Sequence, residues 1–434
     1  LTDDFSKHIL NLPRHTKESS NTMNRYLLIS SDGHAGPPAR IYREYLDPQY
    51  RERFEDHQKA MEAVRRANPI AGGDRTEFRR EWDLATDGDG GITAAYDSDA
   101  RNEVLDREGV AAEVLFPDAD VLGTGRIASS PFGTGLAAGS QSEPELAVAG
   151  CRAHNRWLAD FCSLDPHRRI GVAVVPAIIP DMDTVLELVR EAKELGHRGI
   201  MIPTRWFDRP AYNEPVYDPL WALTEELGLV LHTHSGAGPS DYRGGYAVGP
   251  IYAAEAGWWA GRPLHVFIWS GMFERYPNLR YSMAENAAYW AADVIRKMDE
   301  KWYGYHNTKK MGSMFRDALP NPPRFYLDRN CFFGASTPGV DDIDRRYGVG
   351  VGNIMWGSDM PHPEGTFPFT RYFVRERFKD VPHEEAAQML GLTAARLYHV
   401  DVDALQPLVD EIGPTLDDVH GEGIEFPAPA EAIA

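Results

Sequence analysis

Asn353-Ile-Met-Trp-Gly-Ser-Asp-Met-Pro-His-Pro-Glu364 is the stretch that decides the fold. A short apolar run ends in Gly357-Ser358 and then delivers a carboxylate, a histidine and a second carboxylate. That is how a buried strand presents ligands or a proton acceptor at its C-terminal mouth. Tyr26-Leu-Leu-Ile-Ser-Ser-Asp-Gly-His34 and Leu229-Val-Leu-His-Thr-His234 have the same form. Asp32 with His34, and His232 with His234, are two residues apart, so on a strand each pair points to one face. Three apolar strands that end in Asp or His, spread over most of the chain, predict one metal site built at the mouth of a barrel.

Working outward from these stretches, apolar runs of strand length recur at residues 26–30, 113–116, 171–175, 199–202, 229–234, 280–284, 331–334 and 353–356. Several are continuously apolar, the mark of strands buried on both faces. Helical patterns lie between them. Asp181 opens one, with Val185, Leu188, Val189 and Ala192 on a single face and Gly196 as its stop. Trp157, Leu158, Phe161 and Leu164 make a second stripe, and residues 219–227 and 384–398 give two more helices. Eight strands alternating with helices predict an α/β fold: a single (β/α)8 barrel of the TIM type. No internal repeat or low-complexity linker divides it.

The extra length reads as insertions after strands 1 and 5. Residues 49–100 begin as a charged helix and become Gly- and Asp-rich, and residues 236–262 carry Tyr242, Tyr246, Tyr252, Trp258 and Trp259. Loops after barrel strands surround the mouth, so both are candidate lids, the second equally a subunit interface. Residues 1–22 are polar without a hydrophobic signal core and read as a disordered or non-native extension. The barrel is expected over residues 23–400, followed by a loosely ordered C-terminal arm over 401–434.

A net charge of -20 argues against a nucleic-acid partner, and no apolar run is long enough to cross a bilayer. The three cysteines, Cys151, Cys162 and Cys331, lack a CxxC spacing, which fits a reducing cytoplasm and gives no thiolate metal site. No glycine fingerprint for a dinucleotide follows a strand. The expected partners are a small-molecule substrate and, from the Trp-rich insertion, a second copy of the chain.

The chain resembles the amidohydrolase superfamily, in the amidohydrolase-related branch that includes the aminocarboxymuconate-semialdehyde decarboxylase-like enzymes. The resemblance rests on Asp32-Gly-His34, Asp106-Arg-Glu-Gly-Val110, Asn155-Arg-Trp-Leu158, Gly228–His234, Gly271-Met-Phe-Glu-Arg-Tyr-Pro-Asn-Leu279, Gly357-Ser-Asp359 and Met389-Leu-Gly-Leu-Thr-Ala-Ala-Arg-Leu-Tyr398. It implies a divalent metal held by Asp32, His34, His234 and Asp359. The metal would activate water or hold a substrate carboxylate, with Asp359 as proton acceptor.

There are two departures from the family pattern. Asp32 stands where many relatives have His or Glu. Glu285, in Arg280-Tyr-Ser-Met-Ala-Glu285, stands where the family commonly has a histidine used for proton transfer, which speaks against decarboxylation. Glu285 reads as a general base, a further ligand, or a cap for the next helix.

The first expectation is therefore a metal-dependent hydrolase acting on a small, ring-containing substrate. Asp359, Glu285 and His362 are its catalytic candidates; His362 would orient Asp359 or touch substrate. The ligand candidates are Asp32, His34, His232, His234, Glu285 and Asp359, for one or two ions of Zn, Mn or Fe. Because these are more donors than one ion needs, a dinuclear non-haem iron oxygenase is the alternative, followed by a decarboxylase. Arg205, Trp206, Trp258, Trp259 and Trp356 are the substrate-binding candidates, and Glu364 reads as a solvent-facing or turn-capping residue.

Overall fold

Eight parallel strands follow one another in chain order around a single sheet: β1 (Ile29–His34), β2 (Ala112–Phe116), β3 (Arg169–Val174), β4 (Gly199–Met201), β5 (Val230–His234), β6 (Arg280–Ala284), β7 (Cys331–Ser336) and β8 (Ile354–Gly357). The structure is a computed structural model and describes residues 24–67, 92–117, 132, 143–176, 181–204, 210–236, 246–304, 313–362 and 364–428. β1 meets β8 just past its end. The His34 amide donates to the Met360 carbonyl at 2.8 Å, and the Asp359 amide to the Asp32 carbonyl at 2.8 Å. This is the expected (β/α)8 barrel, and its closure draws Asp32, His34 and Asp359 to one seam.

β1 begins three residues later than the apolar run predicts. Residues before it pair with the C-terminal segment instead: the Tyr26 amide donates to Pro414 and the Leu416 amide to Asn24. The ladder consequently extends to His34, so Asp32 and His34 sit inside the strand. Between the pairs Ser30–Glu113 and Gly33–Leu115, β1 carries one more residue than β2. Such a bulge tightens the twist and re-aims side chains beside an active site.

The helix Met182–Glu194 forms as its pattern predicts: the Asp181 carboxylate accepts from the Thr184 amide, Val185, Leu188, Val189 and Ala192 are buried, and Gly196 takes φ +88°. The helix Pro144–Ser163 buries Trp157, Leu158 and Phe161, but Leu164 falls past its end and is exposed, so that stripe stops a turn early. The stretch predicted as one helix over 384–398 runs as Pro382-capped His383–Ala387, a π turn Gln388–Leu392, and Thr393–Tyr398.

A Cβ at Gly391 in that π turn would lie 2.1 Å from the Leu27 carbonyl oxygen, so only glycine lets the turn rest on the lead-in to β1. Gly391→Ala should therefore destabilise the fold by roughly 1–3 kcal/mol, read as a lower urea midpoint.

The segment expected to be a loose arm is docked as far as Gly421. Helices Val402–Ile412 and Leu416–His420 pack beneath the barrel, where Tyr26 Oη lies within hydrogen-bond distance of His420 Nε2 and of His383 Nδ1. Arg375 donates to the carbonyls of Asp418 and Gly421. Of the insertions, Pro48–Ala67 and Val248–Trp269 are helical; Tyr242 lies outside the described residues, and of the Tyr252 side chain nothing is described.

Candidate metal centre

Four strands deliver the donors. His34 Nδ1 points at the Pro117 carbonyl at 2.7 Å. A carbonyl can only accept, so Nδ1 carries the proton and the Nε2 lone pair faces the barrel mouth. There it lies 3.1 Å from Asp359 Oδ1 and 3.5 Å from Asp32 Oδ1. His234 is arranged alike, with Nδ1 2.8 Å from its neighbour's carbonyl at Ser235 and Nε2 3.1 Å from Asp32 Oδ1. Its Nδ1 also lies 3.1 Å from Glu285 Oε2. The turn after β8 adds His362, whose Nδ1 is 3.0 Å from Asp359 Oδ1, and places Glu364 in the same cluster.

The donor atoms fit a cation. Asp32, His34, Asp359 and His234 are buried, yet His34 Nε2 has no hydrogen-bond partner, and Asp359 Oδ1 lies between the imidazole nitrogens of His34 and His362. Two acceptor lone pairs facing each other at 3.1 Å repel unless positive charge sits with them. Among the described residues the donors fall into overlapping groups: Asp32, His34 and His234; His34, Asp359 and His362; and Glu285, Asp359, His362 and Glu364.

The electrostatics match this crowding. Burial, then the neighbouring His362, pushes the His34 imidazole down to about 3, holding it neutral as a ligand must be. Burial raises the Asp359 and Glu285 carboxyls, although a fifth of the Glu285 side chain meets solvent. For Asp32 burial pushes upward, but His234, His34 and the Ser336 hydroxyl outweigh it and bring the carboxyl to about 2. His234 is the converse: burial lowers it, while Asp32 and Glu285 together raise it well above the usual range. Metal entry must then displace a proton from His234.

Backbone strain marks the same positions. Asp359 has φ +56° and Glu285 φ +48°, left-handed conformations costing on the order of 1–3 kcal/mol each for residues other than glycine. Glu285 directly follows β6 and Asp359 follows β8 after one intervening residue, and the sharp turn aims each carboxylate inward.

Several expected residues lie elsewhere. His232 shares the inner face of β5 with His234 but sits one layer deeper, roughly 7 Å along the strand. Its Nε2 is 2.8 Å from the Tyr398 hydroxyl, its Nδ1 3.3 Å from the Ile200 carbonyl, and it belongs to none of the donor groups. Trp356 points outward from β8 and is buried in the layer between sheet and helices, away from the mouth. Trp258 is mostly exposed and packs edge-on against Trp259, over whose ring Arg262 lies. Trp258 and Arg262 border a groove of about 810 Å³ between the helix Val248–Trp269 and the helix Tyr289–Tyr303. Arg205 and Trp206 lie outside the described residues. Glu364 is exposed, as its solvent-facing reading expects, although its carboxylate also falls within the outer donor group. Sequence reasoning missed Ser336, whose hydroxyl donates to Asp32 Oδ2.

Among solved structures, an amidohydrolase from Mycobacterium avium subsp. paratuberculosis superposes with a TM-score of 0.60 at 19% identity, covering 86% of this chain and 99% of that one. A 2,6-dihydroxybenzoate decarboxylase from Rhizobium gives 0.57 at 15% identity over 87% and 99%. A 5-carboxyvanillate decarboxylase from Novosphingobium aromaticivorans, solved with bound manganese, gives 0.59 at 17% over 87% and 98%. Likeness at these identities carries the fold alone. No curated protein matches the sequence. Among the described residues no helix is long and apolar enough to cross a membrane. The amidohydrolase family model matches residues 106–400, beginning after the Asp32–His34 pair and running through β8, and the chain belongs to that family.

Proposed function

We propose that the chain is a dinuclear non-haem iron oxygenase acting on a small organic molecule. The observation that carries this is the continuity of the donor groups: Asp32, His34 and His234 on one side, Glu285, His362 and Glu364 on the other, with Asp359 common to the middle and outer groups. Four carboxylates and three imidazoles resemble the carboxylate-rich composition of di-iron proteins more than a single structural or hydrolytic zinc. Charge supports the same count. One divalent ion among four ionised carboxylates leaves the site strongly anionic, whereas two neutralise it. Two irons, when bound, would supply O2 activation. The chain's own part is to hold the donors, keep His34 neutral by burial, and offer His362 at the rim as a proton carrier.

A second reading, decarboxylation of a small aromatic acid, is favoured by the activities named for the Rhizobium and Novosphingobium structures. It needs one ion to hold a substrate carboxylate. The cluster's excess negative charge opposes such a substrate, and Glu285 replaces the expected histidine. Hydrolysis by metal-activated water, the first expectation from sequence, also needs only one ion and one base and gives Glu364 no task.

Metal content decides between them. Protein purified without added metal or chelator should hold about two irons per chain and consume O2 with its substrate. One manganese or zinc per chain would overturn the oxygenase reading and return decarboxylation or hydrolysis to the front.

A further inference from the structure

We infer that Ser336 is a positioning residue that makes Asp32 a one-oxygen metal ligand. The inference rests on the reading of Asp32 as a ligand. The two oxygens of Asp32 are used differently: Oδ1 faces His234 Nε2 at 3.1 Å and His34 Nε2 at 3.5 Å, while Oδ2 accepts the Ser336 hydroxyl. The carboxylate is buried, so no solvent competes for Oδ2.

The backbone prepares this contact. Ser336 ends β7 in register with Gly357 of β8, the strand that lies against β1. A Cβ on Gly357 would lie 2.8 Å from Asp32 Cβ and 3.2 Å from Ser336 Oγ. The glycine thus opens the gap through which a β7 hydroxyl reaches a β1 carboxylate. With Oδ2 occupied, Asp32 cannot swing to give both oxygens to one ion, and Oδ1 stays beside the two imidazoles. Partners of this kind orient metal ligands, and their loss typically costs about 10–100-fold in metal affinity.

The test uses two β-branched side chains of equal volume, Ser336→Thr and Ser336→Val, with Asp32→Ala as reference. Manganese(II) is titrated into metal-free protein; free ion and the spectrum of bound ion are followed by electron paramagnetic resonance. Ser336→Thr should bind like the wild type. Ser336→Val should bind about 10–100-fold more weakly, with an altered bound-ion spectrum, in a protein that still folds and unfolds cooperatively. Wild-type affinity in Ser336→Val, or equal weakening in Thr and Val, would overturn the role of the hydroxyl. Wild-type binding by Asp32→Ala would instead remove Asp32 from the metal centre, a failure of the underlying reading and a separate result.

Discussion

Asp359→Asn should lose metal and activity together, with the ion count falling from about two per chain to one or none and turnover dropping on the order of 10³-fold, about 4 kcal/mol of barrier. Asp359 is shared by two of the three donor groups, 3.1 Å from His34 and 3.0 Å from His362. Asparagine keeps the volume and tolerates the φ of +56°, so the backbone turn survives and the loss is one of charge. The metal-free proteins should behave in the opposite sense. Burial raises the Asp359 carboxyl, so its ionisation opposes folding. The sign follows from linkage: its contribution is fully favourable below the unfolded value of about 4 and is lost as pH rises through the folded value. With metal removed, Asp359→Asn should match or exceed the wild type in urea midpoint at pH 8, and the gap should close as pH falls toward 4. A variant that is less stable without metal at every pH would contradict this account of the site.

The barrel was legible because its signal is repetitive. Eight apolar runs, each feeding a helix, produce one architecture, and small boundary errors such as that at β1 leave the topology intact. The clustering of donors at strand ends was legible for a related reason: Asp32, His34 and His234 follow from a period of two along strands that stop at the mouth, and Asp359 from the Gly-Ser-Asp turn after the last strand. That rule also produced the error at His232. Period two gives the face of a strand but not the depth along it, and His232 is one layer too deep, bonded to Tyr398. The nearness of the exposed Glu364 to the donors, and the contact of Ser336, were hidden for a different reason. Glu364 depends on how the turn from Asp359 to Gly365 folds back, and Ser336 on the meeting of β7 with β1 across β8, neither of which is a local pattern. Trp356 was misplaced by reading chemistry from residue type when strand alternation places it in the outer core.

Arg101→Met should produce the largest loss of stability among these variants, about 3–5 kcal/mol, seen as a fall in the urea midpoint. Arg101 and Glu113 are fully buried, joined by Nε to Oε1 at 2.9 Å and Nη2 to Oε2 at 2.5 Å. Arg101 Nη1 also donates to the His34 carbonyl at 3.0 Å, so the pair fixes the backbone of a residue in the candidate metal centre. Methionine fills most of the space but leaves the Glu113 carboxylate in the interior. Arg169, a cation whose charge also acts on Glu113, holds the loss toward the lower end of the range. Removing both charges in Arg101→Met/Glu113→Met should recover much of the stability, because no lone ion then remains buried. The metal centre separates the two roles of Arg101. If it also anchors His34, the double variant folds but binds metal more weakly than the wild type. If the pair serves stability alone, the double variant recovers both.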